Sequence, residues 1–388
     1  MNTGSYYCIS DSERIEDVVA SFVASCLGQE ECDALENELK EYLDQEKYYD
    51  YVVRCVDTIP QLYSSKKIEE FKCFITVLSD MLNSITVYDL SQDACTGIAS
   101  QISSLENCTS TQKMELLNIV FNAVQAFSAE KCIVLKFMVS NCKGFEECLY
   151  TYILKMDINE WDITVDMFRD LLLSLNTTLL QIEQFEKCRV VLIHYLLTFE
   201  SASHEELEQT TPYAVQSIVY SLRFNTKVEE YNELEFIAIK YLAKHEEYKS
   251  VYQLLHVMRS GDLEKLEQLK EQNKEFLEKN NIDVNSLVTS TRLSLLLSLL
   301  NNKTIVEFKD IATALQISEN EVERWIIAAY KQKLVEGKIN QVNKTFTITR
   351  TTCLEFTSDD WNALQNKIRS WKNTIQNAIH SIEQIEGL

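Results

Sequence analysis

Apolar residues recur at three- and four-residue spacing through most of the chain, and the period shortens to two only in one stretch near residues 339–351. Ile15, Val18, Val19, Phe22 and Val23 open the first stripe, and Leu35, Leu39, Tyr42 and Leu43 form the next. Met114, Leu117, Ile119, Val120 and Val124 follow, then Leu171, Leu172, Leu175, Leu179 and Ile182. Each stripe predicts an amphipathic helix that hides one face. Succession without long loops predicts stacked helical hairpins, each burying what its neighbour leaves open. No strict repeat period marks them, so a less regular bundle is the alternative arrangement. Residues 1–14 are read as a loose tail, because Met1 to Asp11 is polar and has no helical period.

The later stripes are Leu234, Ile237, Ala238, Tyr241 and Leu242, then Tyr248, Val251, Tyr252 and Leu255. Ser260-Gly261-Asp262 predicts a corner: the glycine tolerates the left-handed conformation that ends a helix, and the aspartate caps the next one. From Arg292 the pattern changes. Leu293, Leu296, Leu297 and Leu300 share a helical face, Thr304-Ile305-Val306 suits a short strand, and Phe308, Ile311, Ala312 and Leu315 make a second helix. Ser318 with Glu321 forms a capping box that starts a third helix, whose predicted buried face is Val322, Trp325, Ile326, Ala329 and Tyr330. Gly337 is placed near that helix's end. Ile339, Gln341 and Val342 then lead to a turn at Asn343-Lys344, and Phe346 and Ile348 alternate with threonines in the returning strand. Helix, strand, two helices and a hairpin are a winged helix.

Beyond Phe356, Ser358 can cap a last helix with a heptad seam of Trp361, Leu364, Ile368, Trp371, Ile375, Ala378, Ile382 and Ile385, with Ile379 beside it. A lone terminal helix cannot hide such a seam, so it is a candidate partner-binding surface. Trp361 and Leu364 are expected to dock on the chain itself, and Ile375 to Ile385 to enter a bundle with helices of other polypeptides. The chain divides on this reading into the tail at 1–14, helical repeats at 15–185, a further helical part at 186–287, the winged helix at 288–352 and the interaction helix at 353–388.

Charge decides what the winged helix can bind. The third helix begins with Glu319, Glu321 and Glu323, while Lys331 and Lys333 come late. Carboxylates at that end suit the helix dipole and repel phosphate, so direct sequence-specific nucleic-acid binding is not expected. The hairpin residues Ile339, Phe346 and Ile348 are read instead as part of a contact surface for other proteins. A formal net charge of −22 over 388 residues argues the same way, although Lys331, Lys333, Lys338 and Lys344 gather around the wing. Seven Gly and two Pro are few, which disfavours parallel-sheet enzymes and sandwiches and gives a mostly α fold.

Reactive constellations are missing from the sequence. No Gly-x4-Gly-Lys-Ser/Thr loop occurs, and neither His204-Glu205-Glu206 nor His245-Glu246-Glu247 has a second histidine at metal-binding spacing. The pairs Cys26/Cys32 and Cys142/Cys148 are wider than a zinc knuckle. Twelve scattered cysteines without a leader pattern suggest buried thiols in a reducing compartment, with Cys73 among apolar neighbours as an example. No apolar run reaches the roughly 18 residues of a membrane span. A non-enzymatic, soluble protein without metal or cofactor is expected.

Helical hairpins ending in Met258-Arg259-Ser260-Gly261-Asp262-Leu263, a winged helix, and a terminal helix with Trp361 and Trp371 together resemble the PCI family. That family covers scaffold subunits of the proteasome lid, the COP9 signalosome and translation initiation factor 3. Val306 to Ile311, Lys338 to Gln341, Trp361 to Leu364 and Trp371 to Asn373 look most like the initiation-factor members; the signalosome and the lid are the alternatives. The resemblance implies a cytoplasmic, non-catalytic scaffold. Its implied partners are other PCI and MPN-type subunits of one complex and, through them, the small ribosomal subunit and messenger RNA. A winged-helix nucleic-acid binder is the third hypothesis, which salt-dependent binding would reveal.

Overall fold

The stripes are helices that bury their apolar sides against one another. A computed structural model describes residues 19–20, 22–23, 29–65, 68–125, 128–200, 202–224, 233–301, 303–352 and 358–386. The expected tail, together with Ile15, Val18 and Cys26, lies outside the described residues. The chain forms two compact units, Met1–Thr198 and Phe199–Leu388.

In the first unit the helices are α1 (Gln29–Asp44), α2 (Tyr48–Val56), α3 (Ile59–Ser65), α4 (Ile68–Leu82), α5 (Tyr88–Ser104) and α6 (Ser110–Ala123). They continue with α7 (Ala129–Asn141), α8 (Glu146–Ile153), α9 (Val165–Gln181) and α10 (Phe185–Leu197). Helices α2, α5, α7, α9 and α10 pack each on the next, while α4 lies on α6 and α6 on α7, which is a two-row helical stack. Side-chain caps set where several helices begin. Thr109 and Gln112 make a capping box at α6, Ser128 accepts the Lys131 N–H at α7, and Thr164 accepts that of Met167 at α9. Tyr51, Phe71, Ile75, Leu78, Ile98, Ile102 and Leu116 are fully buried between the rows. Arg169 on α9 donates to the Thr198 hydroxyl and carbonyl, both at 3.0 Å, and so ties α9 to the end of α10. Because α10 packs on α9, this unit runs past the boundary expected at residue 185.

Two expectations for this unit fail for geometric reasons. Cys73 is exposed, because Phe71, Phe74, Ile75 and Leu78 take the buried face of α4 and residue 73 falls on the opposite side. Ile182 is exposed too: α9 ends at Gln181, so Ile182 caps the helix instead of extending its stripe.

The second unit contains α11 (His204–Arg223), a 3₁₀ turn (Glu233–Glu235), α12 (Ile237–Leu242), α13 (Lys249–Ser260), α14 (Leu263–Gln272), α15 (Lys274–Lys279) and α16 (Val284–Leu300). Ile237 is exposed, while Ala238, Tyr241 and Leu242 carry the buried side of the short α12. The predicted corner forms as expected. Gly261 has φ 77° and ends α13, and Asp262 accepts the Lys265 N–H to begin α14. A Cβ on Gly261 would lie 2.7 Å from the Leu295 Cα, so this corner presses directly on the backbone of α16.

Helix α16 also belongs to the winged helix. It packs on α11, α13 and α14, yet its Leu293, Leu296, Leu297 and Leu300 enter a core with Val306, Phe308, Ile311, Leu315, Val322, Ile326, Ala329 and Phe346. That core is closed by β1 (Ile305–Glu307), α17 (Phe308–Leu315), a 3₁₀ turn (Glu319–Glu321), α18 (Val322–Lys331), β2 (Val335–Asn340) and β3 (Thr345–Thr351). The sheet is antiparallel in the order β1-β3-β2, with Phe346 opposite both Val306 and Ile339.

Gly337 is a strand residue, not a helix-end signal. The register slips between Glu336 and Gly337, and a Cβ there would meet the Thr347 carbonyl at 2.3 Å and the Phe346 ring at 2.7 Å. The glycine lets β2 cross closely over that ring. Val342 lies in the turn with 93% exposure, and Tyr330, at the end of α18 just past buried Ala329, is 60% exposed and so not on the buried face that the periodicity implied. Trp325 is half-buried against the core, with the Arg292 guanidinium 5.7 Å from its ring. The last helix, α19 (Ser358–Glu386), is 29 residues long, about 43 Å at 1.5 Å per residue.

The Ser318–Glu321 capping box is present: the Ser318 hydroxyl and N–H both donate to the Glu321 carboxylate, at 2.8 and 3.1 Å. These bonds hold the Glu321 carboxyl below its ordinary value. A depressed carboxylate stabilises the fold above its unfolded pKa of about 4.3, and that contribution is lost as pH falls through the lower folded value. Replacing Glu321 by Gln should therefore lower stability at neutral pH and flatten the acid limb of the melting profile. An unchanged limb counts against the cap.

Two glycines with positive φ give a matched test of the corner. Gly144→Ala, at φ 95° with open space around it, should cost about 1 kcal/mol from backbone strain alone. Gly261→Ala adds a collision with α16 and should cost roughly 1–3 kcal/mol more, read from urea denaturation of the unit that holds each residue. Equal losses would show that the corner has room to yield.

Candidate protein-interaction surface

The seam of α19 is open to solvent. Trp361, Trp371 and Ile375 are 63%, 60% and 60% exposed, and Leu364, Ile368, Ala378 and Ile379 are exposed as well. The side chains of Ile382 and Ile385 lie outside the described residues. Among the described residues no other element packs extensively on this helix. Trp361 and Leu364 are thus not buried on the chain's own winged helix, as the sequence suggested. The winged-helix core is already closed by α16, α17, α18 and the sheet. What remains is a single helix that presents two tryptophans and several isoleucines at heptad spacing, the pattern that knobs-into-holes packing requires.

The hairpin residues fall elsewhere. Phe346 is 2% exposed in the winged-helix core, and Ile339 and Ile348 pack against that core half-buried. The structure does not bring them together with the α19 residues. Exposed apolar side chains on the winged helix are instead Ile305 on β1 and Ile327 and Tyr330 on α18. Periodicity missed these because it assigned Tyr330 to the core and did not mark Ile327. The signal that could have found Ile327 is its place directly after core Ile326, one residue off the buried stripe.

The start of α18 is acidic and already engaged. Glu321 holds the cap, Glu319 pairs with Lys344 of the wing at 3.0 Å, and Glu323 accepts from Gln341 at 3.0 Å. These carboxylates pin the wing to the helix that would read a groove. Lys344, one of the four lysines that gather around the wing, is thereby countered, as is Arg350 by Glu336 at 3.4 Å. A phosphate backbone approaching this face would meet negative charge first.

Thiol chemistry is quiet where it can be followed. Burial pushes the thiols of Cys55 and Cys188 up to about 12 and those of Cys132 and Cys142 up to about 11, and it raises Cys95 further. Each stays protonated at neutral pH and behaves as a small apolar group. His204 and His245, far apart in sequence, both contact Tyr241. Their ring centroids lie 4.8 and 4.6 Å from the tyrosine ring, and the tyrosine hydroxyl is 3.0 Å from His204 Nδ1. The cluster joins α11, α12 and the turn after α12. Among the described residues no group of three or more His, Cys, Asp or Glu could hold a metal ion. No helix among them is long and apolar enough to cross a membrane.

Residues 267–350, from within α14 to the end of β3, match the PCI domain family. The chain is 24% identical to eukaryotic translation initiation factor 3 subunit M of Phaeosphaeria nodorum over 388 aligned residues, covering 96% of this chain and 86% of the relative. It is also 24% identical to the subunit M of Dictyostelium discoideum, over 82% of this chain and 80% of that protein. A shorter match to the Schizosaccharomyces pombe subunit M reaches 30% identity over 35% of the chain. The family match lies across the junction at which the helices of the second unit enter the winged helix through the shared α16, so residues 267–350 of this chain are similar to a PCI domain.

Proposed function

We propose that the chain is a non-catalytic scaffold subunit of translation initiation factor 3, in the position that subunit M occupies in its relatives. The observation that carries this is the length of the likeness. It extends over 96% of the chain, and so includes the helical unit that precedes the PCI match. A PCI domain alone would leave the signalosome and proteasome lid open. The relatives reported above are all initiation-factor subunits, which counts against those alternatives.

On this reading the protein works in the cytoplasm and holds other PCI and MPN-type subunits through α19 and exposed parts of its winged helix. Contact with the small ribosomal subunit and messenger RNA is indirect. The physical support is the exposed seam of α19, with Ile368, Trp371 and Ile375 each at least half exposed, and the acidic face of α18, which repels nucleic acid.

Ile368→Asp combined with Ile375→Asp should remove the chain from its complex. In a eukaryotic extract, the tagged double variant should retain initiation-factor subunits at least about tenfold less than wild type, while its helicity and melting temperature are unchanged. An undiminished subunit set defeats the assignment of α19, and recovery of cullin-linked ubiquitin machinery by wild type defeats the initiation-factor reading. The purified full chain should bind duplex DNA no more tightly than the non-specific range of about 10⁻⁴ to 10⁻⁶ M at physiological salt. Tighter binding that weakens steeply with salt would revive a nucleic-acid role.

A further inference from the structure

Helices α2 and α5 pack side by side in the first unit, and a groove of about 210 Å³ opens between them. Val53 and Val56 of α2 and Ala94 and Gly97 of α5 are its apolar lining. Gly97 keeps it open, since a Cβ there would come into ordinary contact with Val56 Cγ1 at 3.5 Å. Asp57 and Asp93 stand exposed on its rim. Asp93 accepts the Tyr49 hydroxyl at 2.6 Å, whereas the Asp57 side chain makes no ion pair with any described residue. Asp57 is also the C-cap of α2, where the helix dipole is negative and favours a cation. The Thr96 and Ser100 hydroxyls, which complete the lining, donate to carbonyls of their own helix at 2.7 and 2.9 Å. The carboxylates are thus the strongest acceptors left for an incoming group.

No cation of the two helices answers that charge. Helix α5 contains no Lys or Arg, and Arg54, the one cation of α2, donates to Glu38 of α1 at 3.3 Å. The surroundings are acidic as well, for residues 1–198 hold 31 Asp and Glu against 15 Lys and Arg. A second copy would bring the same acidic surface and a nucleic acid would bring phosphates, so both are repelled. The groove is also smaller than the roughly 300–1,000 Å³ of a cofactor pocket. It suits one long side chain with an apolar stem and a cationic head. Arginine meets both needs, because its planar guanidinium can donate to two carboxylates at once.

We propose that this groove docks a basic segment of a partner protein: the stem of an arginine lies on Val53, Val56, Ala94 and Gly97, and its guanidinium bonds Asp57 and Asp93. The terminal helix takes no part, so this contact is separate from the one assigned to α19.

The test titrates the full chain, its valine methyl groups labelled for NMR, with a Gly/Ser peptide that carries one central arginine. The Val53 and Val56 methyl signals should shift and saturate. A peptide with citrulline, the neutral isostere, in place of the arginine should bind at least about tenfold more weakly. Asp57→Asn with Asp93→Asn keeps the shape and an acceptor for Tyr49; it should lose at least about tenfold in affinity without a lower melting temperature. Gly97→Ala, which raises helix propensity, should weaken binding while the melting temperature holds or rises. Glu183→Gln with Glu186→Gln, exposed on the same unit and outside the groove, should leave the affinity unchanged. Equal losses from the two charge-neutralising pairs overturn the proposal and assign the attraction to diffuse charge. So does equal binding of the citrulline peptide, or the absence of a saturable shift at Val53 and Val56. Subunit capture through α19 reads a different surface, so either proposal can fail alone.

Discussion

One helix held in two cores at once is the constraint on which the second unit depends. Helix α16 lies against α11, α13 and α14, and its Leu293, Leu296, Leu297 and Leu300 are the floor of the winged helix. Any rotation of α16 that favoured one core would expose leucines in the other. Burying a leucine contributes about 1.5–3 kcal/mol, so turning out even two of them would cost a large part of a domain's stability. The Gly261 corner adds a steric stop: with its Cβ position 2.7 Å from the Leu295 backbone, α13 and α14 sit as close to α16 as a chain can. The winged helix is therefore a rigid continuation of its helical neighbours, without a linker between them.

Rigidity at that junction gives meaning to the charges at the other end of the winged helix. A helix N-terminus attracts anions, and in a groove-reading protein that attraction would be spent on phosphate. Here Ser318, Lys344 and Gln341 of the same domain spend it on Glu321, Glu319 and Glu323. The acidic residues strengthen the cap and fasten the wing in the same contacts that, on the proposed reading, turn nucleic acid away. Stability and partner exclusion have a common origin at this site.

Much of this was legible in the sequence, for identifiable reasons. The corner at Gly261, the Ser318 capping box and the leucine face of α16 are set by local chemistry, which needs only a few neighbouring residues to be read. Errors gathered where tertiary packing chooses. Cys73 and Ile237 sit in apolar surroundings but on the wrong side of their helices, and Tyr330 extends its stripe beyond the point where the core ends. Gly337 signals a break to any sequence reading, yet only the Phe346 ring beneath it explains why the break must be a glycine inside a strand. Among the expected contact residues, Trp361 to Ile379 of α19 are exposed, whereas Phe346 is a core residue: alternation in a strand tells which side chains share a face, not which face is free.

The exposure of α19 follows from size. A winged helix of roughly 60 residues is about 28 Å across, whereas α19 is about 43 Å long, so even a helix laid across it would leave a third of its seam uncovered. Moreover, the winged helix offers no empty apolar face to receive it. Its inner side is filled by α16, and its exposed apolar residues are Ile305, Ile327, Tyr330 and Val342. A helix with two exposed tryptophans, too long for its own domain and without a place on it, keeps a sharp heptad period only if other helices supply the holes for its knobs. Among the described residues the seam stays exposed, and the proposed docking on other polypeptides would give it that missing half.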